Sequence, residues 1–156
     1  MTFTFVRHLR GRARRLGGER GTALLEMALT LPLLLLVAVA IFEFGRAFQT
    51  WEVLTNAARE AARIAVLPNS TVAGAEARAR AYLDAGALNG GSATVTVTTT
   101  EIPIGVGTAS AKQVRVDYPF QFMVLQPVAS LIVNGSTLGA PITMSASAEM
   151  RNESPF

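Results

Sequence analysis

Residues 22–42, TALLEMALTLPLLLLVAVAIF, are the stretch that decides the fold. The stretch is apolar apart from Thr22, Glu26 and Thr30. As a helix with a rise of about 1.5 Å per residue it would be roughly 31 Å long, close to the hydrocarbon thickness of a bilayer. The stretch therefore predicts a transmembrane helix over 22–44, in which Pro32 removes one backbone donor and favours a kink.

The basic residues of the chain are concentrated before this stretch. The first 21 residues hold six arginines against Glu19 alone, a charge of +5, so residues 22–156 sum to −2 although the whole chain carries +3. Such a domain does not point to nucleic acid as a partner. Because positively charged flanks stay in the cytoplasm, we predict a basic cytoplasmic leader over 1–21, a single span in the bacterial inner membrane and an extracytoplasmic domain over 45–156.

Side chains that usually carry catalysis or metal binding are scarce. The sequence has no cysteine, and its single histidine, His8, lies in the leader. These counts exclude a disulfide, a cysteine nucleophile and a histidine-based triad or metal cluster in the domain. The only acidic candidates of a soluble enzyme would be Glu101, Asp117 and Glu149, whose spacing suggests no site. We therefore expect no enzymatic activity, no cofactor and no metal.

Helical periodicity continues beyond the apolar stretch. Small and apolar residues recur every three or four positions as far as the breaker Pro68, which predicts a helix that extends to about residue 66. Its predicted inward side chains are Ala47, Trp51, Leu54, Ala58, Ala61 and Ala65. The alanines on this part suit close approach by the domain's own sheet. A short second helix is predicted over 71–88, with the following side chains inward: Val72, Ala75, Ala79, Tyr82 and Leu83.

The hydrophobic period changes to two after residue 91. Three strands are predicted, around 95–97, 114–118 and 142–150, with Gly105 and Gly107 at the turn between the first two. The apolar segment 120–133, FQFMVLQPVASLIV, is too short for a second span, so we expect it in the core, with a membrane-facing or subunit-facing patch as the alternative. The predicted fold class is α+β, with a long N-terminal helix (transmembrane, then amphipathic), a short second helix and a small antiparallel sheet of about three strands.

Glu26 is the one charged residue within the apolar stretch. A carboxylate in a membrane span costs about 2.5 kcal/mol or more, so it needs a partner or a function. The spacing from Gly21 to Glu26 resembles the processing site of type IV prepilins, where a membrane peptidase cuts after a glycine and a glutamate follows at the fifth mature position. Cleavage would leave an ammonium on Thr22 that Glu26 of a neighbouring subunit can pair with. The alternative is a Glu26 that lies at the interface and is favoured only by the helix dipole.

Residues 20–66 resemble the TadE-like family of pilin-related proteins from the tight adherence (Tad/Flp pilus) systems. The matching features are the spacing from Gly21 to Glu26, Pro32, the sequence EFGR at 43–46 and NAAREAAR at 56–63, while SASAEMRNE at 145–153 resembles the family's strand ending. The resemblance implies a minor pilin or pseudopilin that a prepilin peptidase processes and that assembles with other pilin-like subunits and the pilus machinery. Its candidate assembly residues are Glu26, Pro32, Glu43, Arg46, Asn56, Arg59, Glu60 and Arg63.

Two other fates of the N-terminus stay open. An uncleaved chain would be a single-pass anchor or scaffold of the pilus secretion machinery. Ala38-Val39-Ala40 has the A-x-A form of a signal peptidase site, and cleavage there would release a soluble extracytoplasmic protein that begins at Ile41. Glu60 and Arg63 could belong to a recognition patch. The alternative is an ordinary ion pair on a solvated helix face.

Overall fold

The helices and strands follow the predicted order along the chain. In a computed structural model, which describes residues 18–135 and 137–152, the elements are α1 (Gly18–Ala65), α2 (Val72–Ala85), β1 (Thr94–Ile104), β2 (Gly107–Phe120), α3 (Leu125–Ile132) and β3 (Ile142–Arg151). A short 3₁₀ turn at Gly90–Ser92 precedes β1. The α+β class with two predicted helices and a three-stranded antiparallel sheet is confirmed. The predictions for leader residues 1–17 lie outside the described residues.

The first compact unit ends at Ala38, and its described part belongs to α1. Every side chain from 21 to 38 is exposed, and Pro32 lies inside the helix. An 18-residue window of this helix has a mean hydropathy of 2.5, and none of the window is buried. A helix of this length and composition is able to cross a membrane.

The second compact unit, Val39–Phe156, has a small core built largely from alanine. Leu54 and four alanines of α1 are fully buried in one cluster with side chains of α2 and the strands. Alanine lets helix and sheet backbones approach closely, because it has no atoms beyond Cβ. Packing of the alanine face by the domain's own elements is therefore confirmed. The cluster's fully buried side chains are Leu54, Ala57, Ala58, Ala61, Ala62, Ala75, Ala79, Leu83, Val114 and Val116.

The sheet has the strand order β1-β2-β3, with both pairings antiparallel. Ile104 pairs with Gly107, so β1 and β2 are joined by a two-residue turn at Gly105 and Val106. Gly105 has a φ of +60°, the conformation that a type II′ turn needs at its first central position. The predicted turn position is correct.

Three expectations about burial are wrong. Trp51 is 47% exposed because the hydrophobic cluster begins only at Val53, and Trp51 packs instead beside Phe48, with ring centroids 6.2 Å apart. Val72 is 51% exposed because it is the first residue of α2, ahead of the buried line from Ala75 onward.

The segment 120–133 is the third wrong expectation, since most of it lies outside the core. Among its described side chains only Phe120, the last residue of β2, is buried. The remainder includes α3, which the sequence did not predict as a helix. The described core draws on α1, α2, Ala93 and the strands, and α1 and α2 already fill it against the sheet.

Candidate functional site

The candidate processing residues lie at the head of the apolar helix. Gly21, Thr22 and Glu26 are all exposed. A Cβ placed on Gly21 would meet no atom within 4 Å, so nothing in the described part of the chain requires glycine there. Thr30 Oγ1 donates to the carbonyl oxygen of Glu26 at 2.8 Å, but among the described residues the Glu26 carboxylate has no hydrogen bond or ion pair.

A second group of predicted residues forms a closed cluster at Glu43, which is only 1% exposed. The backbone N–H of Val124 donates to Glu43 Oε1 at 2.6 Å, and that of Leu125 donates to the same oxygen at 3.4 Å. Val124 is the N-cap of α3 and supplies no side-chain cap of its own. The carboxylate of Glu43 therefore caps α3, where a negative charge also meets the positive end of the helix dipole.

Arg46 completes this cluster from one turn along α1. Its Nη1 donates to Glu43 Oε2 at 2.9 Å and lies 3.5 Å from the carbonyl oxygen of Gln121. The guanidinium stacks over the Phe120 ring, with its central carbon 5.2 Å from the ring centroid. Arg46 thus neutralises the buried carboxylate and covers the end of β2. We call Glu43, Arg46 and the backbone groups that they contact, the Gln121 carbonyl oxygen and the N–H groups of Val124 and Leu125, the Glu43 clasp.

A third group ties α1 to α2. Glu60 accepts hydrogen bonds from Arg63 on its own helix, at 3.2 Å, and from Arg78 on α2, at 2.9 and 3.2 Å. The bonds from Arg63 and then Arg78 lower the pKa of Glu60, against a smaller opposing effect of desolvation. The arrangement is a two-helix ion-pair network on a partly exposed surface.

Several predicted residues are not brought together. Asn56 and Arg59 are exposed and have no hydrogen bond or ion pair to the described residues. The acidic candidates Glu101, Asp117 and Glu149 take part in hydrogen bonds within the sheet. Their partners are Thr108 for Glu101, Thr100 for Glu149, and Arg115 with Ser145 for Asp117. Among residues 18–135 and 137–152 no group of three or more His, Cys, Asp or Glu side chains could hold a metal ion.

Sequence reasoning missed the partners of two motif residues. Val124 and Leu125 lie 81 and 82 positions from Glu43, and Arg78 lies 18 positions from Glu60. The sequence offered no signal for the first pair, because α3 was not predicted and its N-cap, Val124, has no capping side chain.

In the described residues, fold and site together define a protein with one membrane-capable helix that continues into a small α+β domain, with the Glu43 clasp just beyond the apolar stretch. A model of the family described as TadE-like protein matches residues 21–63. The match confirms the predicted resemblance over the segment that runs from Gly21 through the EFGR sequence to Arg63. No curated protein and no solved structure matches the chain. The match and the apolar helix favour a membrane protein associated with the Tad pilus.

Proposed function

We propose that the chain is a minor pilin or pseudopilin that takes part in assembly of a Tad/Flp pilus. The observation that carries the proposal is the TadE-like match, which begins at Gly21 and covers the spacing from Gly21 to Glu26. In this proposal residues 1–21 are a cytoplasmic leader, 22–44 cross the inner membrane and 45–156 form the extracytoplasmic domain. Its partners are the prepilin peptidase, other pilin-like subunits and the pilus assembly machinery. TadE-like proteins are structural or assembly proteins rather than enzymes, and the proposed role is likewise assembly.

Two features of the apolar helix support processing after Gly21. The glycine has no packing role among the described residues, so its small size can serve recognition by a peptidase. The Glu26 carboxylate has no partner in the described part of the chain, and in lipid that is costly for a charged group. Cleavage creates the missing charge, because Thr22 then carries a free ammonium. When helices stagger in a bundle, Glu26 of one subunit can pair with that ammonium on the next.

The test of processing is N-terminal sequencing of the mature protein. Thr22 as the first residue supports the proposal, whereas Met1 would identify an uncleaved anchor and Ile41 a released soluble domain. Gly21→Val should leave a membrane-retained precursor of full length. Gly45→Val is the matched control, because Gly45 is also a glycine of α1 whose Cβ would meet nothing within 4 Å. Normal cleavage of the Gly21→Val protein at the same bond would overturn the processing step.

The test of assembly is Glu26→Ala. This variant should insert and be processed normally, since removal of a charge makes the span more apolar. Subunit crosslinking and piliation should fall, because the unpaired partner of a desolvated ion pair costs about 3 to 5 kcal/mol. Glu52→Ala removes an exposed carboxylate from the same helix and should change neither measurement. Wild-type crosslinking and piliation in the Glu26→Ala strain would reject the pairing and favour a plain membrane anchor.

A further inference from the structure

The segment around α3 exposes apolar side chains that the domain's own core does not cover. Met123 is 63% exposed, Val128 42% and Val133 59%. Leu138 is 64% exposed and lies close to the start of α3, because the adjacent Gly139 approaches so closely that an added Cβ would lie 2.7 Å from the Gln126 nitrogen. Clusters of exposed apolar side chains such as this mark binding surfaces.

The same segment is free of charge. No Asp, Glu, Lys, Arg or His stands between Asp117 and Glu149, a stretch that includes all of α3 and both of its flanks. The sheet differs from this segment, because its three strands carry charged side chains: Glu101, Lys112, Arg115, Asp117, Glu149 and Arg151. An uncharged apolar surface is suited to lipid, where a single charged side chain would be costly.

The Glu43 clasp fixes the position of α3 relative to residue 43 of α1. Glu43 directly follows the apolar stretch 22–42, and its carboxylate holds the first amides of α3 at 2.6 and 3.4 Å. Large apolar side chains of α1 around Glu43 are also exposed. They are Ile41, Phe42, Phe44 and Phe48. The start of α3 is thus bound to the residue that directly follows the apolar stretch proposed to cross the membrane.

We propose that α3 and its flanking residues Met123, Val133 and Leu138 dock on the outer lipid–water interface of the membrane in which α1 is anchored. A segment of this length is too short for a second span, and because its described side chains after Phe120 lie outside the core, it suits an interfacial element. The Glu43 clasp holds its N-terminus at the level where the apolar stretch ends. The inference rests on the proposed membrane span, and it adds a second contact with lipid that orients the domain.

The chain has no cysteine, so single-cysteine variants of the full-length protein can each carry one environment-sensitive fluorophore. Val128→Cys reports on α3 and Leu34→Cys on the span. Val106→Cys is the matched control, because it replaces an exposed valine at the hairpin turn, at the opposite end of β2 from Phe120. Each labelled protein is reconstituted in phosphatidylcholine vesicles, with and without lipids brominated near the headgroup end of the acyl chain.

The expected result is a blue-shifted emission and loss of fluorescence in brominated lipid for Val128→Cys and Leu34→Cys, with neither effect for Val106→Cys. A water-like, unquenched signal at position 128 beside a quenched signal at position 34 would overturn the docking and leave the span intact. Water-like signals at both positions would overturn the span as well. A shielded signal at position 128 that is not quenched by brominated lipid and is lost when protein is diluted in excess lipid would assign the surface to a second copy instead.

Discussion

Replacement of Glu43 by alanine should release the N-terminus of α3 while leaving the rest of the domain folded. The Glu43 carboxylate is almost completely buried and accepts hydrogen bonds from the amides of Val124 and Leu125 and from Arg46. Alanine removes all three acceptor contacts at once. Glutamine keeps a carbonyl oxygen that can still accept from the amides, but it removes the negative charge. The pair of variants therefore separates capping from charge.

The size of the effect follows from the geometry of these contacts. The 2.6 Å bond from Val124 is short and charge-assisted, a class worth about 1.5 to 3 kcal/mol. The bond from Leu125 is long at 3.4 Å and adds little. Arg46 is 30% exposed, so water can replace much of its lost partner. We expect a local loss of about 2 to 4 kcal/mol for Glu43→Ala and about 1 to 2 kcal/mol for Glu43→Gln.

Hydrogen exchange of the full chain in lipid nanodiscs measures this loss locally, because amides of a frayed helix exchange through local opening. Amides of α3 should exchange about 30- to 700-fold faster in Glu43→Ala, since each 1.4 kcal/mol corresponds to a factor of about ten. Amides of β2 should change far less. Glu52→Ala, at an exposed position of the same helix, should leave α3 unchanged. Wild-type exchange of α3 in Glu43→Ala would refute the capping argument.

Three further predictions concern other parts of the chain. The arginine partners of Glu60 hold the pKa of its carboxyl group below the ordinary value of 4.5. The ionised carboxylate therefore stabilises the fold fully above pH 4.5, and this stabilisation is lost as the pH falls through the lower pKa of the folded state. The difference in Tm between wild type and Glu60→Gln should therefore shrink on acidification. Gly90→Ala should lower thermal stability by about 1 to 3 kcal/mol, because its Cβ would lie 2.5 Å from the Arg80 carbonyl oxygen. Replacement of Arg12, Arg14, Arg15 and Arg20 by glutamine should reduce correct insertion, because it removes most of the positive charge before the span. Unchanged protease access to the domain in inverted vesicles would contradict this prediction.

The parts of the fold that the sequence predicted are those in which one local period governs burial. Alanine recurs on α1 at spacings of three and four, and the structure buries Ala58 and Ala61 completely. Strict alternation from Ile142 to Met150 likewise predicted β3, which the structure extends by one residue to Arg151.

The second helix shows where local periodicity stops being informative. It was predicted to residue 88 but ends at Ala85, because the Leu88 amide turns back to the Leu83 carbonyl oxygen while Ala87 adopts a φ of +61°. Alanine rarely takes this left-handed conformation, so Ala87 itself gives no signal for the turn; the available stop signal was Gly86, the C-cap of α2.

The contacts that the sequence did not predict join residues far apart in the chain. An apolar run of 14 residues is compatible with a strand, a core helix or a surface helix, and composition does not choose among them. Segment 120–133 contains a surface helix because α1 and α2 already fill the core against the sheet. The capping role of Glu43 depends on where residues 124 and 125 arrive in three dimensions. Its place in the EFGR sequence shows only that a charged pair follows the apolar stretch.

The Glu43 clasp also imposes an order on how the domain is completed. Its acceptor leaves the ribosome 81 residues before the first amide that it binds, and the hairpin of β1 and β2 is made in between. Contacts of such long sequence separation form late, because the loop between them must first be ordered. Until α3 has been made, the Glu43 carboxylate therefore lacks the amides that it binds in the folded domain. Formation of the clasp is therefore among the last steps that order the end of the domain next to residues 39–42.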